Sequence, residues 1–346
     1  MNLFHLRHVD WLDSQMIYHA LPRVNVEGIL ILAPKTPYVC IGYHQNLEQE
    51  VDLEYCLEKG IPVFRREVGG GAVFLDGDQI FYQIVIHKDN PLARGCKAEF
   101  FERMLMPVVE TYHELGIPAK FKPVNDVITA EGRKISGTGA AEIGDYIILV
   151  GNLIADFDYK TMVRVLRVPD EKYRDKVFKS MTENLTTIKR ETGRMPGWDE
   201  MVDPLLKNYE KVLGVLEPSE LSDEVREQIK KLEPDYLSND WLHKKRRSSN
   251  DRKVKIASDI NIVQRIYKSP GGLVRASFEL DGDVISNISI SGDFFCYPSN
   301  VISMLEEFLE GAKLSEITNL VEKFYEKPNV EIPGITPMDW GKVLTG

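Results

Sequence analysis

The chain has 346 residues, a length that suggests two domains. It is 43% hydrophobic and 28% charged, which excludes a largely disordered chain. Forty-three Lys and Arg against 53 Asp and Glu leave a net charge of −10, which argues against broad electrostatic binding to nucleic acid.

Asp10–Leu21 has the apolar spacing of a helix, and Gly28–Pro34 and Tyr38–Gly42 are apolar runs of strand length. Asp52 suits an N-cap for a helix through Glu58, and Gly60 suits its stop. Pro62–Arg66 reads as a strand and runs into three consecutive glycines. Ala72–Leu75 and Ile80–His87 follow as strands about a turn at Asp76-Gly77-Asp78. Lys97–Leu115 carries the longest helical pattern of this half. Strands are expected at Asp126–Thr129, Lys134–Ala141 and Tyr146–Phe157, with hairpin turns at Gly132-Arg133 and Gly144-Asp145. Residues 160–242 read mainly as helical. The polar, basic run 243–253 reads as a linker. Beyond it come three strand patterns, Ile260–Lys268, Gly272–Leu280 and Val284–Ser291, and two helices, Asn300–Glu310 and Leu314–Lys327. Strands and helices segregate, so the expected class is α+β with a mixed, mostly antiparallel sheet, not a doubly wound fold. The expected division is a domain at 1–242, a linker at 243–253 and a small α+β domain at 254–346.

No apolar run approaches the roughly 20 residues of a membrane span, and Met1–His5 lacks the pattern of a signal peptide. Cys40, Cys56, Cys96 and Cys296 form no CxxC pair and fit a reduced, cytoplasmic setting. The seven histidines lack metal-ligand spacing; His5 and His8 read as an edge strand or part of the first helix.

Three stretches could carry chemistry. In Arg65-Arg66-Glu67-Val68-Gly69-Gly70-Gly71-Ala72-Val73-Phe74, the glycines can bare backbone N–H groups to an anion and the arginines can offer fork-shaped cations. The bland alternative is a glycine-rich turn beside a solvated basic pair. The spacing is that of neither a P-loop nor a dinucleotide fingerprint. The second stretch, Asn125 to Gly139, places Lys134 after a tight turn and ahead of the small residues Ser136, Gly137, Thr138 and Gly139. An exposed turn lysine is the bland reading there. The third, Gly151 to Asp156, reads as a buried strand with a polar end.

Taken together, in this order, the three stretches resemble the lipoate–protein ligase A family over about residues 1–190. Ile41-Gly42-Tyr43-His44-Gln45-Asn46 adds to the likeness. The segment Ser291-Gly292-Asp293-Phe294-Phe295 and its two helices resemble the accessory domain of the bacterial enzymes. The resemblance implies a lipoate- and biotin-ligase type of fold and a two-step reaction. Lipoate and ATP, with Mg²⁺, give lipoyl-adenylate and pyrophosphate. The acyl group then passes to a lysine of a carrier: a glycine-cleavage H-type protein, an acyltransferase domain of a 2-oxoacid dehydrogenase, or an unusual lipoate-binding protein.

By the same resemblance Lys134 is the catalytic residue, between the carboxyl and the α-phosphate. Arg65 or Arg66, with Gly69, Gly70 and Gly71, would hold phosphate. Ala72, Val73 and Phe74 would lie along the nucleotide, and Asn125 and Asp126 would position it, Asp126 being the candidate Mg²⁺ ligand. The acyl chain would lie among His44, Leu75, Gln83, Ser136, Gly137, Thr138, Gly139 and Gly151. Two positions depart from the family pattern: Leu75 stands where a histidine is usual, and Gln83 is polar in a wall expected to be aliphatic.

The competing readings are an octanoyltransferase of the same superfamily and a non-catalytic protein that binds a lipoyl-like ligand. The transferase would use a cysteine as its acyl nucleophile, and no cysteine lies between Ala119 and Asp156. A biotin ligase would carry a G-R-G-R-type loop, which is absent. The run Lys244–Lys255 reads as a solvated linker, or as a docking surface for an acidic carrier.

Overall fold

The computed structural model describes residues 1–168, 170–245 and 260–346. The chain divides into two units. The larger is Met1–Cys40, Val51–Phe64 and Val73–Ser238; the second is Ile41–Glu50, Arg65–Ala72 and Asn239–Gly346. Residues 246–253 of the expected linker lie outside the described residues.

The strands of the first 218 residues are β1 (Asn2–Val9), β2 (Gly28–Pro34), β3 (Tyr38–Ile41), β4 (Val63–Arg65), β5 (Val73–Leu75), β6 (Gln79–His87), β7 (Ala119–Lys122), β8 (Asp126–Thr129), β9 (Lys134–Ile143), β10 (Tyr146–Ile154) and β11 (Glu217–Pro218). Eight of them form one sheet in the order β11-β1-β2-β6-β10-β9-β8-β7. Only the β11–β1 and β1–β2 pairs are parallel. The other five pairs are antiparallel, as a mixed, mostly antiparallel sheet requires. A second small sheet has the order β4-β3-β5.

Helices cover both faces of the large sheet, which is why β2 is buried along its whole length and β6 at all but its last residue. On one face lie Lys97–Glu114 and Trp198–Leu213. There Tyr112 donates to Ile135 O at 2.8 Å, and the Tyr82 and Tyr209 rings stand 5.9 Å apart. On the other lies Asp13–Ala20, whose Ser14 carbonyl accepts from Gln83 Nε2 at 2.7 Å. The helix Leu53–Lys59 begins and ends where its sequence predicts. Asp52 accepts from Tyr55 N at 3.1 Å, and Gly60 ends it at φ 62°.

Strand β1 resolves the two readings of His5 and His8, edge strand or first helix, in favour of a strand. Its partner register slips between His5 and Arg7, and Arg7 has φ 55°, so the period-2 signal breaks midway. His5 and His8 are strand residues paired with Ile31 and Ala33 of β2, while the two-residue β11 pairs only with Asn2 and Leu3.

In the second unit, β12 (Ile260–Ser269), β13 (Gly272–Asp281) and β14 (Val284–Gly292) form an antiparallel meander. Val274, Phe278 and Ile290 pack against the helices Val301–Leu309 and Ile317–Tyr325. A further helix, Pro337–Thr345, escapes the sequence reading although its start is written there. Thr336 caps Asp339 N at 3.3 Å, Pro337 occupies the first turn, and Trp340 is buried beneath it. Among the described residues no helix is long and apolar enough to cross a membrane.

Candidate active site

In the larger unit the β8–β9 hairpin sets Lys134. Val127 pairs with Ser136, but the next pair is Ile128 with Lys134, so Ile135 is an extra residue on β9. This bulge reverses the alternation and turns Lys134 onto the face that also carries Gly137. A side chain on Gly137 would lie 3.1 Å from Lys134 Cε, so glycine there leaves the lysine its space. Lys134 Nζ is 2.6 Å from Asp126 Oδ1, with both side chains partly exposed. Asn125 Nδ2 donates to Thr138 O and Thr138 Oγ1 donates to Asn125 O, zipping the segment ahead of β8 to β9.

The β9–β10 ladder ends at Thr138–Gly151. One step further, the Asn152 side chain takes over: Gly137 N donates to Asn152 Oδ1 at 3.1 Å. Asn152 Nδ2 then donates to Gln79 Oε1 at 2.8 Å, and Gln79 Nε2 to Phe74 O at 3.1 Å. Asn152 and Gln79 were not among the predicted site residues. Their polarity in otherwise apolar strands is the signal that could have found them.

The predicted acyl-pocket residues of β6, β9 and β10 divide between two faces. Gly139 pairs with Val150, which pairs with Gln83, so Gly139 and Gln83 share the face of Lys134 and Gly137. Ser136, Thr138 and Gly151 alternate to the opposite face. There Ser136 Oγ is 3.0 Å from Tyr82 OH, and a Cβ on Gly151 would collide with the Tyr82 ring. The space beside Gly151 is thus filled by a tyrosine of the protein itself. Leu75 and Phe74 lie on β5, buried, where Phe74 pairs with Val39 and Val73 with Cys40. Burial pushes the adjacent Asp76 carboxyl up to about 6.

The second unit holds the glycine segment, its arginines and His44. Arg65 is fully buried and is not a free cation. Its Nη1 donates to Gly42 O, Tyr43 O and Gln45 O at 3.1, 3.0 and 2.7 Å. Its Nε donates to Trp241 O and Leu242 O at 3.0 and 3.1 Å, and its Nη2 to Leu242 O at 2.8 Å. Arg66 Nη2 donates to Gly69 O at 2.8 Å and Gly71 O at 2.9 Å, so it braces the loop from within. Gly70, at φ 93°, gives its N–H to Phe294 O at 3.2 Å. A Cβ on Gly69 would lie 2.6 Å from that same oxygen, which accounts for glycine there. His44 is buried and stacks on Phe294 at 5.2 Å. Its Nε2 is 3.1 Å from Cys296 Sγ, and burial, helped by Lys245, Lys244 and Arg65, holds the ring well below its ordinary pKa. Lys244 of the basic run lies over the Tyr43 ring at 4.0 Å, and Lys245 pairs with Glu306 at 3.1 Å.

Comparison with known families decides what these parts belong to. The lipoyl protein ligase A/B catalytic domain matches residues 12–210, and the bacterial lipoate protein ligase C-terminus matches residues 261–339. The chain belongs to the lipoyl protein ligase A/B family. Within that family it is 26% identical to octanoyltransferase LipM of Kyrpidia tusciae over 231 residues, 60% of this chain and 84% of that protein. It is also 26% identical to lipoate-protein ligase LplJ of Bacillus subtilis, over 317 residues, 87% of this chain and 89% of that protein. Among solved structures it resembles a chain of the bi-partite lipoate protein ligase of Thermoplasma acidophilum, with TM-score 0.64 and 25% identity over 72% of this chain and 98% of that chain. The α+β class and the lipoate-ligase type of fold follow from these likenesses and from the sheet described above.

Proposed function

We propose that this protein is an ATP-dependent lipoate–protein ligase, which activates lipoate as its adenylate and passes the lipoyl group to a lysine of a lipoyl domain. The observation that carries this reading is the setting of Lys134. A cation held by one carboxylate stands on a face lined by Gly137 and Gly139, and no cysteine occurs on β7 to β10. A lysine there suits the first step, because a carboxylate attacking a phosphate brings two anions together and Lys134 would stabilise the charge that develops. Asp126 releases the ammonium to the substrate and keeps it aimed in the meantime. The same lysine would polarise the acyl group during transfer to the carrier. In the second unit Arg66 holds the carbonyls of Gly69 and Gly71, whereas Arg65 holds those of Gly42, Tyr43, Gln45, Trp241 and Leu242.

A match that continues into residues 261–339 under a ligase name, and the 87% span of the LplJ likeness, favour ligase over transferase. A thioester mechanism needs a thiolate. Burial pushes Cys56 up to about 11 and Cys296 up to about 12. Cys40 is buried as well. Cys96 is the exposed cysteine, at the start of the helix Lys97–Glu114, and it is the thiol on which octanoyl transfer would have to depend. Among the described residues no three His, Cys, Asp or Glu side chains gather as a metal cage. Mg²⁺ arriving with ATP would be held by phosphate oxygens with Asp126 as a protein carboxylate beside them, and would neutralise phosphate charge. The Thermoplasma ligase was solved in a study that includes its E2 lipoyl domain, and such a domain is the acceptor we propose here.

The test is pyrophosphate release from ATP with lipoate, with octanoate and with neither acid, in the native protein, Lys134→Ala and Cys96→Ser. Acid-dependent release that survives Cys96→Ser and is lost in Lys134→Ala is expected. No release with any acid, together with octanoyl transfer that fails in Cys96→Ser, would replace this reading with the transferase.

A further inference from the structure

Gln83 is 1% exposed in the middle of β6, between Leu30 of β2 and Val150 of β10. Its amide is oriented by chemistry. The Ser14 carbonyl, 2.7 Å away, can only accept, so it faces Nε2, and Oε1 points elsewhere. That oxygen is buried and has no hydrogen-bond partner among the described residues. A buried carbonyl oxygen left without a donor destabilises the fold, and such groups are rare in native proteins.

The position of the oxygen gives it a use. Gln83 shares the sheet face of Lys134, Gly137, Gly139 and Val150. Counted across two strands and two residues along, it lies about 12 Å from Gly137. That is close to the reach of an extended eight-carbon acid whose carboxylate sits at Lys134. Between them the face carries Gly137, Gly139, Val150 and Phe81, which suit methylene groups, with the amide of Asn152 tied to Gly137 N and Gln79. At the far end it offers one hydrogen-bond acceptor with no donor among the described residues.

We propose that Gln83 Oε1 accepts a hydrogen bond from the far end of the bound acid, so that the site selects chains bearing an O–H or S–H donor there over plain octanoate. This rests on the reading of Lys134 as the group that receives the carboxylate. Reduced, dithiol lipoate is an acid of this class; oxidised lipoate and octanoate are not. A thiol is the weaker donor, so a hydroxyl gives the larger effect.

Calorimetric binding of octanoate, 8-hydroxyoctanoate, oxidised lipoate and dihydrolipoate tests the proposal without any catalytic step. The native protein should bind 8-hydroxyoctanoate roughly 10–100-fold tighter than octanoate, because octanoate leaves the buried oxygen unpaired. Dihydrolipoate should bind tighter than oxidised lipoate. In Gln83→Met, which keeps the length and removes the acceptor, the hydroxyl preference should collapse to within about threefold. Equal binding of octanoate and 8-hydroxyoctanoate to the native protein, or a preference that survives Gln83→Met, overturns the proposal. The comparison of acids on the native protein stands even where the variant does not fold. Pyrophosphate release measured on the same samples separates the two claims. Hydroxyl preference without release sinks the ligase reading alone, and release without preference sinks this proposal alone.

Discussion

Lys134 Nζ lies 2.6 Å from Asp126 Oδ1, an ion pair across β8 and β9 made possible by the extra residue Ile135. Without that bulge the lysine would alternate onto the Ser136 face, against Tyr82. Both partners are partly exposed, so the pair is worth only about 0–1 kcal/mol of stability. Its value is in aim. Lys134→Ala should therefore unfold near the native temperature while acid-dependent pyrophosphate release falls by about 10²–10³-fold. A release rate within threefold of the native one would remove Lys134 from the chemistry.

Arg65 is the opposite case, a buried cation used as a bracket. Its guanidinium spans carbonyls of residues 42–45 and of Trp241 and Leu242. A lysine presents its donors from one point and cannot serve both groups. Arg65→Lys should cost about 2–4 kcal/mol in denaturant unfolding, because several carbonyls lose their partner together. An unchanged midpoint would show that the bracket is dispensable.

Gly151 tests whether its missing side chain makes room for Tyr82. Gly151→Ala should destabilise by about 1–3 kcal/mol through overpacking. The cost should shrink in a Tyr82→Leu background, because the added methyl then meets no ring. Equal cost in both backgrounds would point to another cause.

Asp76 sets a pH dependence. Burial raises its carboxyl from the ordinary 3.8 to about 6, against the opposing bond from Asp78 N at 3.1 Å. Between these values the folded chain holds a proton that the unfolded chain has released. Its contribution to stability is therefore present below about pH 4, is lost as pH rises to about 6, and stays lost above that. Asp76→Asn keeps an oxygen for Asp78 N and removes the charge. Relative to the native protein it should gain about 1–2 kcal/mol at pH 7.5 and little at pH 4. Melting curves at both pH values read the difference.

Much of the architecture was legible because it is written locally. Asp52 and Gly60 bound their helix through a cap and a left-handed stop, and the turns Gly132-Arg133 and Gly144-Asp145 fall between the strands they were read to join. The strand β1 was left open between an edge strand and the first helix, and the helix Pro337–Thr345 was missed, for different reasons. A bulge breaks the period of β1, whereas the helix is short and its capping residues had no long apolar stripe behind them. Within the candidate site the residue types were visible, but their faces were not. Strict alternation puts Lys134 with Ser136, and only the register of β8 on β9 shows that it stands with Gly137.

By itself the sequence determined the α+β class, the family and the segments that bear charge, glycine and lysine. Each is a property of residue order over a few tens of positions, where capping, turn chemistry and periodicity act. Only the tertiary structure decided what those groups meet. Arg65 spends its donors on carbonyls up to 177 positions away in the chain, and Asn152 reaches Gly137 and Gln79 on neighbouring strands. Gln83 keeps an amide oxygen with no hydrogen-bond partner among the described residues. A hydrogen bond depends on which strands lie 4–5 Å apart and which face each residue takes, and those are set by the packing of the whole sheet.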